Sequence, residues 1–237
     1  MSGVSDGVLQ ALARALQLDD AERTHLFDLA RAAQPALDRP PRRRAGKQAV
    51  RPDLQWLLAT ITDAAAFVRN SRMDILAANE LGQALYADML TDAAHPPNTA
   101  RFVFLDPRAQ SFYREWAQSA SECVAALRSA AGHDPFDRDL TDLVGELSTR
   151  SDEFRTRWAA HNVRFHDAAL KRLHHPVVGE LTLRFNRLEL AADQGLALFT
   201  YAAEPGSRSE EALKLLGSWA ATIDSTETAH STDQSQR

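Results

Sequence analysis

Four histidines in the C-terminal half are the first candidates for chemistry, because imidazole is a common metal ligand and acid–base group. They are His161, His166, His174 and His175. No two of them have the spacing that places two ligands on one helix face, and no cysteine or ordered acid pair accompanies them. The pattern argues against a metal centre. We expect His175, which precedes Pro176, to set a turn and His161 to end its helix.

Nucleophiles and cofactor loops are the next candidates, and the sequence offers few of them. It has no Gly-x-Ser-x-Gly elbow, no glycine loop that would cradle a phosphate, and no dinucleotide-binding fingerprint. Cys123, the only cysteine, lies inside a helical pattern beside Val124 and has no sequence sign of activation. We therefore predict no catalytic residue, no cofactor and no metal, and we expect the chain not to be an enzyme.

The composition is that of a protein with a full core. The chain has 237 residues, enough for one large domain plus an appendage at roughly 100–200 residues per domain. Its apolar runs are far shorter than the roughly 20 residues of a membrane span. Residues 1–7 have neither the basic nor the apolar part of a secretion signal. We expect a cytoplasmic protein with no membrane partner.

The charge is acidic overall but basic in one segment. A net charge of −5 argues against nucleic-acid binding by the whole chain. Six basic residues nevertheless cluster between Arg39 and Arg51. Such a run is usually a solvated linker, and contact with a DNA backbone is the alternative interpretation.

Two short helices are predicted at the N-terminus, because apolar residues recur at helical spacing from Leu9 to Leu16 and from Leu26 to Ala33. Asp19 and Glu22 resemble a capping box at the start of the second helix. Two short helices cannot close a core alone, so they must pack on something else. Residues 34–48 lose this periodicity among prolines and arginines, which indicates a linker.

An α+β unit is predicted over residues 49–222. Its opening helix precedes two short apolar runs, Phe67–Asn70 and Ile75–Ala78, which fit the strands of a hairpin. Four helical stretches follow, beginning near Glu80, Asp106, Asp137 and Ser151. Asp106 and Ser151 are good N-caps, since their side chains can accept from unpaired backbone N–H groups.

Alternation replaces the helical period in the next part of the chain. Leu181, Leu183 and Phe185 alternate with polar residues, which is the pattern of a half-buried strand. We expect Val163–Leu173 and Leu196–Ala203 to be its antiparallel neighbours.

A final helix follows Ser207 and Glu210, which form a second capping box. One face of this helix is predicted to carry Ala212, Leu215, Leu216 and Trp219. Residues 223–237 are polar and rich in Ser and Thr, so we expect a disordered tail there.

Several ordered strings in this unit resemble the MmyB-like ligand-binding domain of transcription regulators from actinobacteria and related bacteria. The matching strings are Val68–Asn79, Phe104–Arg108, Leu143–Leu147, His175–Leu181 and Tyr201–Ser207, with Ser151, Phe154, Trp158 and His161 between the third and the fourth. Each string alone is weak, but their order and spacing cover most of Val50 to Trp219 and together make a specific signal.

The resemblance implies a PAS-like antiparallel sheet covered by helices, with a pocket for a small apolar ligand such as a fatty acid. Family members usually carry an N-terminal helix-turn-helix of the XRE class, and residues 1–33 look like its last two helices. The recognition helix is missing from this pattern. We expect the chain to sense a ligand for transcription regulation, to reach DNA only through a complete helix-turn-helix, and to form a homodimer.

A ligand of this kind needs an apolar cavity and, for a carboxylate, a cation at one end, because an unpaired buried charge is costly. Arg101 directly precedes Phe102-Val103-Phe104 and is our candidate for the carboxylate; a salt bridge with a surface acid is the alternative. Asn79 either contacts the ligand or caps a helix. The further candidates for ligand contact are Tyr86, Phe104, Tyr113, Trp116, Phe154, Trp158 and His161. For most of the aromatic residues, a place in the core is the default interpretation.

Two other classes of function stay open at this point. A protein–protein interaction module would show an exposed apolar patch and no enclosed pocket. A small hydrolase would turn over acyl esters or thioesters.

Overall fold

The computed structural model describes residues 6–18, 22–23, 26–27, 30, 49–90, 96–160 and 170–234, with side chains described through residue 222. It confirms the predicted α+β class with a PAS-like antiparallel sheet covered by helices. The helices are α1 (Asp6–Ala15), α2 (Pro52–Thr60), α3 (Glu80–Leu85), α4 (Ala87–Leu90), α5 (Thr99–Leu105), α6 (Arg108–Phe112), α7 (Trp116–His133), α8 (Arg138–Arg150), α9 (Asp152–Ala159) and α10 (Arg208–Gln234). The strands are β1 (Ala64–Asn70), β2 (Ile75–Ala78), β3 (Leu170–His175), β4 (Gly179–Glu189) and β5 (Leu196–Ala203).

The five strands form one sheet in the order β2-β1-β5-β4-β3, and each neighbouring pair is antiparallel. The first and last strands in sequence, β1 and β5, therefore lie side by side at its centre, with Phe67 opposite Phe199. A bulge interrupts the pairing of β1 with β2 between Val68 and Arg69. Bulges often redirect a side chain beside a functional site.

The two faces of the sheet bury different layers, as the alternation of side chains in a strand requires. On β1, Ala65 and Phe67 belong to the large core under the helices. Ala66 and Val68 point to the other face, where they join the core that Leu58 of α2 covers. The helix-covered face, called the inner face below, is the one that can enclose a ligand.

The helices α7, α8 and α9 build a second core beside the inner face. Leu127, Leu147 and Phe154 are fully buried there. The predicted N-cap of α9 is confirmed, because the Ser151 hydroxyl accepts from the Phe154 N–H at 3.2 Å. Asp137 caps α8 in the same way, accepting from the Leu140 N–H at 3.1 Å.

Helix α5 was not predicted from the sequence. Asn98 caps it by accepting from the N–H groups of Ala100 and Arg101. The run Phe102-Val103-Phe104 is continuously apolar, and a short run of this kind does not distinguish a buried strand from a buried helix. The cap at Asn98, after two prolines, is the signal that decides for a helix.

The C-terminal helix differs from the prediction in length and in its buried face. It continues through Gln234, although residues 223–237 were expected to be a disordered tail. No Gly or Pro follows Gly217, so nothing in the backbone ends the helix earlier. Leu213 and Leu216 are its buried residues, whereas Leu215 is 66% exposed.

Part of the predicted N-terminal region is described. Helix α1 confirms the first predicted helix and buries Leu9 and Ala13. Residues 22–23, 26–27 and 30, which fall in the second predicted helix, are helical. The predicted linker at 34–48 lies outside the described residues, as does the part of the predicted strand Val163–Leu173 that precedes Leu170.

Asn79 joins the sheet to the first helix above it. Its Oδ1 accepts from the N–H groups of Gly82 and Ala66, at 2.7 and 2.9 Å. Its Nδ2 donates to the carbonyls of Ile61 and Ala64, at 2.6 and 2.8 Å. The approach is so close that a Cβ on Gly82 would lie 2.5 Å from the Ala66 carbonyl oxygen.

We expect Asn79→Ala to lower the free energy of unfolding by about 2–4 kcal/mol, because it removes a helix cap and leaves buried backbone groups without hydrogen-bond partners. Chemical denaturation measures the loss. The exposed Asn186 of β4 supplies the control: Asn186→Ala is expected to change stability by no more than about 0.5 kcal/mol. Equal losses in the two variants would contradict the structural role of Asn79.

Candidate ligand-binding cavity

A cavity of about 120 Å³ lies among the helices that cover the inner face and the turn between β3 and β4. The end of α3, helix α4, α5, α6, the β3–β4 turn and α10 each contribute to its wall. The lining residues are Leu85, Tyr86, Ala87, Asp88, Met89, Phe102, Phe112, His175, Pro176, Val177 and Trp219. Most are apolar or aromatic, which suits an apolar guest.

Tyr86 connects the cavity to an aromatic layer on the inner face. Its ring meets Phe67 edge-on at a centroid distance of 5.5 Å and contacts Phe112 at 5.4 Å. Phe67 in turn stacks on Phe199 at 5.5 Å and on Tyr201 at 5.7 Å. The rings of one layer therefore extend from the cavity wall to the centre of the sheet.

Three tyrosine hydroxyls meet inside this layer. Tyr86 Oη lies 3.2 Å from Tyr201 Oη and 3.5 Å from Tyr113 Oη. Burial raises the pKa of Tyr86 and of Tyr201 well above the ordinary value of 10.0, and burial raises that of Tyr113 as well. All three phenols stay neutral at physiological pH, so they offer hydrogen bonds and no negative charge.

His175 closes the side of the cavity at the β3–β4 turn. Its Nδ1 accepts from the Val177 N–H at 3.2 Å, and its Nε2 lies 3.1 Å from the Ala84 carbonyl oxygen, to which it donates. These contacts fix the neutral tautomer with the proton on Nε2, and burial lowers the pKa of the imidazole. The predicted role of His175 in setting a turn is confirmed.

Arg69 lies on the same inner face, two residues after Phe67 on β1. Its Cζ is 4.0 Å from the centroid of the Phe199 ring. Its Nε exposes less than 1 Å² and has no hydrogen-bond partner, although the side chain as a whole is only partly buried. Among the described residues no carboxylate forms an ion pair with this guanidinium.

The structure places Arg101 and Asn79 outside the cavity wall. Arg101 Nε donates to Glu146 Oε2 at 2.9 Å, which is the salt bridge that the sequence left as the alternative to a ligand contact. Asn79 uses its side chain for the four hydrogen bonds described above, as a helix cap would.

The predicted aromatic residues fall into two groups. Tyr86 and Tyr113 come together on the inner face, and Tyr86 lines the cavity. Phe154 of the second core lies 5.0 Å from Phe104 and 5.5 Å from Trp158, while Trp116 packs against the inner-face core and lies 6.3 Å from Phe104. His161 lies outside the described residues.

Several lining residues were not singled out from the sequence. Trp219 was placed on a helix face, and His175 was assigned to a turn, but neither was linked to a cavity. Arg69, which does not line the cavity, has no place in the predicted site, although the alternation of β1 puts it on the same side as Phe67. The sequence signal for Arg69 is that a basic residue occurs on the apolar side of a central strand.

Two further observations concern metals and membranes. Among the described residues no three His, Cys, Asp or Glu side chains are grouped so that they could hold a metal ion. Within the same part of the chain, no helix combines the length and the apolar character that crossing a bilayer requires.

A PAS-like α+β layer with a mostly apolar cavity under its helices is the arrangement of a small-molecule-binding domain. The family of MmyB-like transcription regulator ligand binding domains matches residues 50–216. The chain belongs to this family, and the match confirms the resemblance seen in the sequence. The comparison with curated proteins gives no match.

The lowered pKa of His175 predicts a pH dependence of stability. The unfolded chain takes up this proton near the ordinary pKa of 6.5, before the folded protein does. The stability that neutral His175 contributes is therefore present above that pH and is lost as the pH falls below it. We expect wild type to lose more unfolding free energy between about pH 7.5 and about pH 5.5 than His175→Gln does.

The control for this experiment is His174→Gln, because the neighbouring His174 is exposed and forms its contact with Glu180 at the surface. Denaturant unfolding at each pH measures the difference. An identical pH profile for wild type and His175→Gln would contradict the assignment of a buried neutral imidazole.

Proposed function

We propose that this protein is the ligand-sensing part of a bacterial transcription regulator and that it binds a small apolar molecule, a fatty acid or a similar lipid. The observation that carries the proposal is the mostly apolar and aromatic cavity among the covering helices of a domain that belongs to a regulator ligand-binding family. We place the protein in the cytoplasm, where such a regulator meets DNA.

Ligand binding must enlarge the cavity. Its volume of about 120 Å³ is well below the roughly 300 Å³ at the lower end of ligand sites. Tyr86 separates the cavity from the rest of the aromatic layer, so movement of its ring is the simplest way to gain space. A ligand that binds only the enlarged form shifts the population toward that form.

Among the predicted site residues, Tyr86 and Tyr113 are the ones that we propose for the ligand site. Their hydroxyls are neutral donors that can turn toward a polar group of the guest. The other four predicted aromatic residues do not line the cavity, and their role in our proposal is to support the helices around it; they are Phe104, Trp116, Phe154 and Trp158. Asn79 and Arg101 hold secondary structure together in our proposal.

We propose that the enlarged form changes how the domain packs on the N-terminal helices. Ligand and DNA affinity are then coupled reciprocally, through a linker at residues 34–48. DNA is contacted only by a complete helix-turn-helix, to which residues 1–33 would contribute the last two helices. A homodimer would match a two-fold symmetric operator.

An interaction module is the second candidate function, and one observation favours it. Trp56 is 71% exposed and Leu57 is 48% exposed on α2, and exposed apolar residues can mark a binding surface. A hydrolase has less support, because burial raises the pKa of the Cys123 thiol to about 12 and keeps this nucleophile protonated.

Solvent extraction of the purified protein, followed by mass spectrometry, tests the ligand directly. We expect an apolar molecule to be recovered. Ala87→Phe, which would fill the cavity, is expected to reduce the amount recovered and to weaken binding by about tenfold or more. Ala221→Phe, at an exposed position of α10, is the control and should bind like wild type.

Three results would count against the ligand proposal. Wild type could be empty in every extract and show no thermal shift with acids or alcohols. Ala87→Phe could bind as well as wild type, which would place the ligand elsewhere. Turnover of acyl esters or thioesters above the solvent background would favour the hydrolase instead.

Hydrogen exchange tests the coupling to the N-terminal helices. We expect an added ligand to change amide protection in α1 as well as around the cavity, because both report the same two-state equilibrium. Helix α8 is the internal control, since it lies in the second core away from the cavity. Protection changes confined to the cavity would contradict this coupling.

A further inference from the structure

Arg69 has a charge that its surroundings do not neutralise. Its Nε is buried without a partner, and within the described part of the chain no acidic side chain pairs with it. Glu122, whose helix α7 covers the inner face, is already paired with Lys171. A guanidinium retains its proton under all ordinary conditions, so the group cannot become neutral to avoid this cost.

The groups around Arg69 cannot supply a negative charge. The Phe199 ring offers its face at 4.0 Å, which attracts a cation but leaves the in-plane N–H donors free. Burial raises the pKa of the Tyr201 and Tyr86 hydroxyls and of the Cys123 thiol, so all three remain neutral while they share this interior with Arg69.

A second guanidinium adds to the positive potential. Arg187 of β4 lies directly opposite Phe199 in the sheet register, and its own partner is Glu189 on the same strand, both side chains being exposed. The bulge between Val68 and Arg69 marks a local departure of β1 from regular pairing at this point. Arg187 therefore adds positive charge on the strand beside Phe199, whose ring Arg69 contacts.

A series of ring contacts joins this position to the cavity wall. Tyr86 lines the cavity and contacts Phe67, Phe67 stacks on Phe199, and Phe199 carries Arg69. An elongated apolar molecule that displaces the Tyr86 ring would lie along these rings. Its far end would then meet the unpaired guanidinium.

We propose that Arg69 binds the anionic group of the ligand, so that the ligand is an apolar molecule with a carboxylate at one end. This inference rests on the proposed ligand-sensing function and names the residue that selects the ligand's charge. Arg101, with its carboxylate partner in place, has no such role.

Calorimetric titration of the full chain with decanoate and with decan-1-ol at neutral pH tests this selection. The two probes share one chain length and differ in charge, because the carboxyl group is ionised under these conditions. We expect decanoate to bind wild type about tenfold or more tightly than the alcohol. In Arg69→Met this preference should fall to about onefold, and in Arg69→Lys it should persist in part.

The matched control is Arg101→Met, which should keep the full preference for decanoate. Thermal unfolding adds a second measurement on the same variants. Without ligand, Arg69→Met should melt higher than wild type by about 3 °C, because it removes a partly buried guanidinium whose Nε has no partner. Decanoate should raise the melting temperature of wild type more than decan-1-ol does, and the two probes should raise that of Arg69→Met equally.

Two outcomes would overturn the inference, and they can be told apart. If wild type binds acid and alcohol equally, the cavity has a ligand but Arg69 does not select its charge; this result needs no variant to fold. If Arg69→Met folds and keeps the preference, another cation is responsible. Binding of neither probe, together with empty extracts, would overturn the proposed ligand sensing itself.

Discussion

The stacking of aromatic rings on Phe67 is the interaction on which the rest of the domain depends. Phe67 lies at the centre of the sheet, and its ring contacts Phe199 and Tyr201 on the adjacent strand and Tyr86 on the helical side. These contacts are made only if β1 and β5 are neighbours in their observed register. This ring therefore links the two central strands to Tyr86, which lines the cavity.

Asn79 sets the distance at which this packing occurs. Four hydrogen bonds from one side chain bring α3 against β1, and the absence of a side chain on Gly82 permits the close approach. Tyr86 follows directly after α3, so this arrangement places its ring against Phe67. A residue outside the cavity thus determines where the cavity wall stands.

The sequence predicts the elements well where a local signal decides them. One example is the Ser151 cap, whose geometry involves only neighbouring residues. Another is the alternating run Leu181–Phe185. It predicts the site poorly, because Arg101 and Arg69 look alike in the chain and both adjoin apolar residues. Only tertiary structure shows that Glu146 neutralises Arg101 while Arg69 remains unpaired. Arg101 and Glu146 are 45 positions apart in the chain, so the local sequence does not indicate that they pair.

A guanidinium whose buried Nε has no hydrogen-bond partner lowers the stability of the ligand-free protein, and this cost has a consequence for sensing. A guest that neutralises the charge stabilises the bound form by more than its apolar contacts alone would provide. The free energy that separates the two forms is then largest for a guest with an anionic end. Neutral apolar molecules of the same size would fill the cavity with a smaller shift of the equilibrium. Arg69 therefore both selects the charge of the ligand and increases the shift of the equilibrium that the ligand causes.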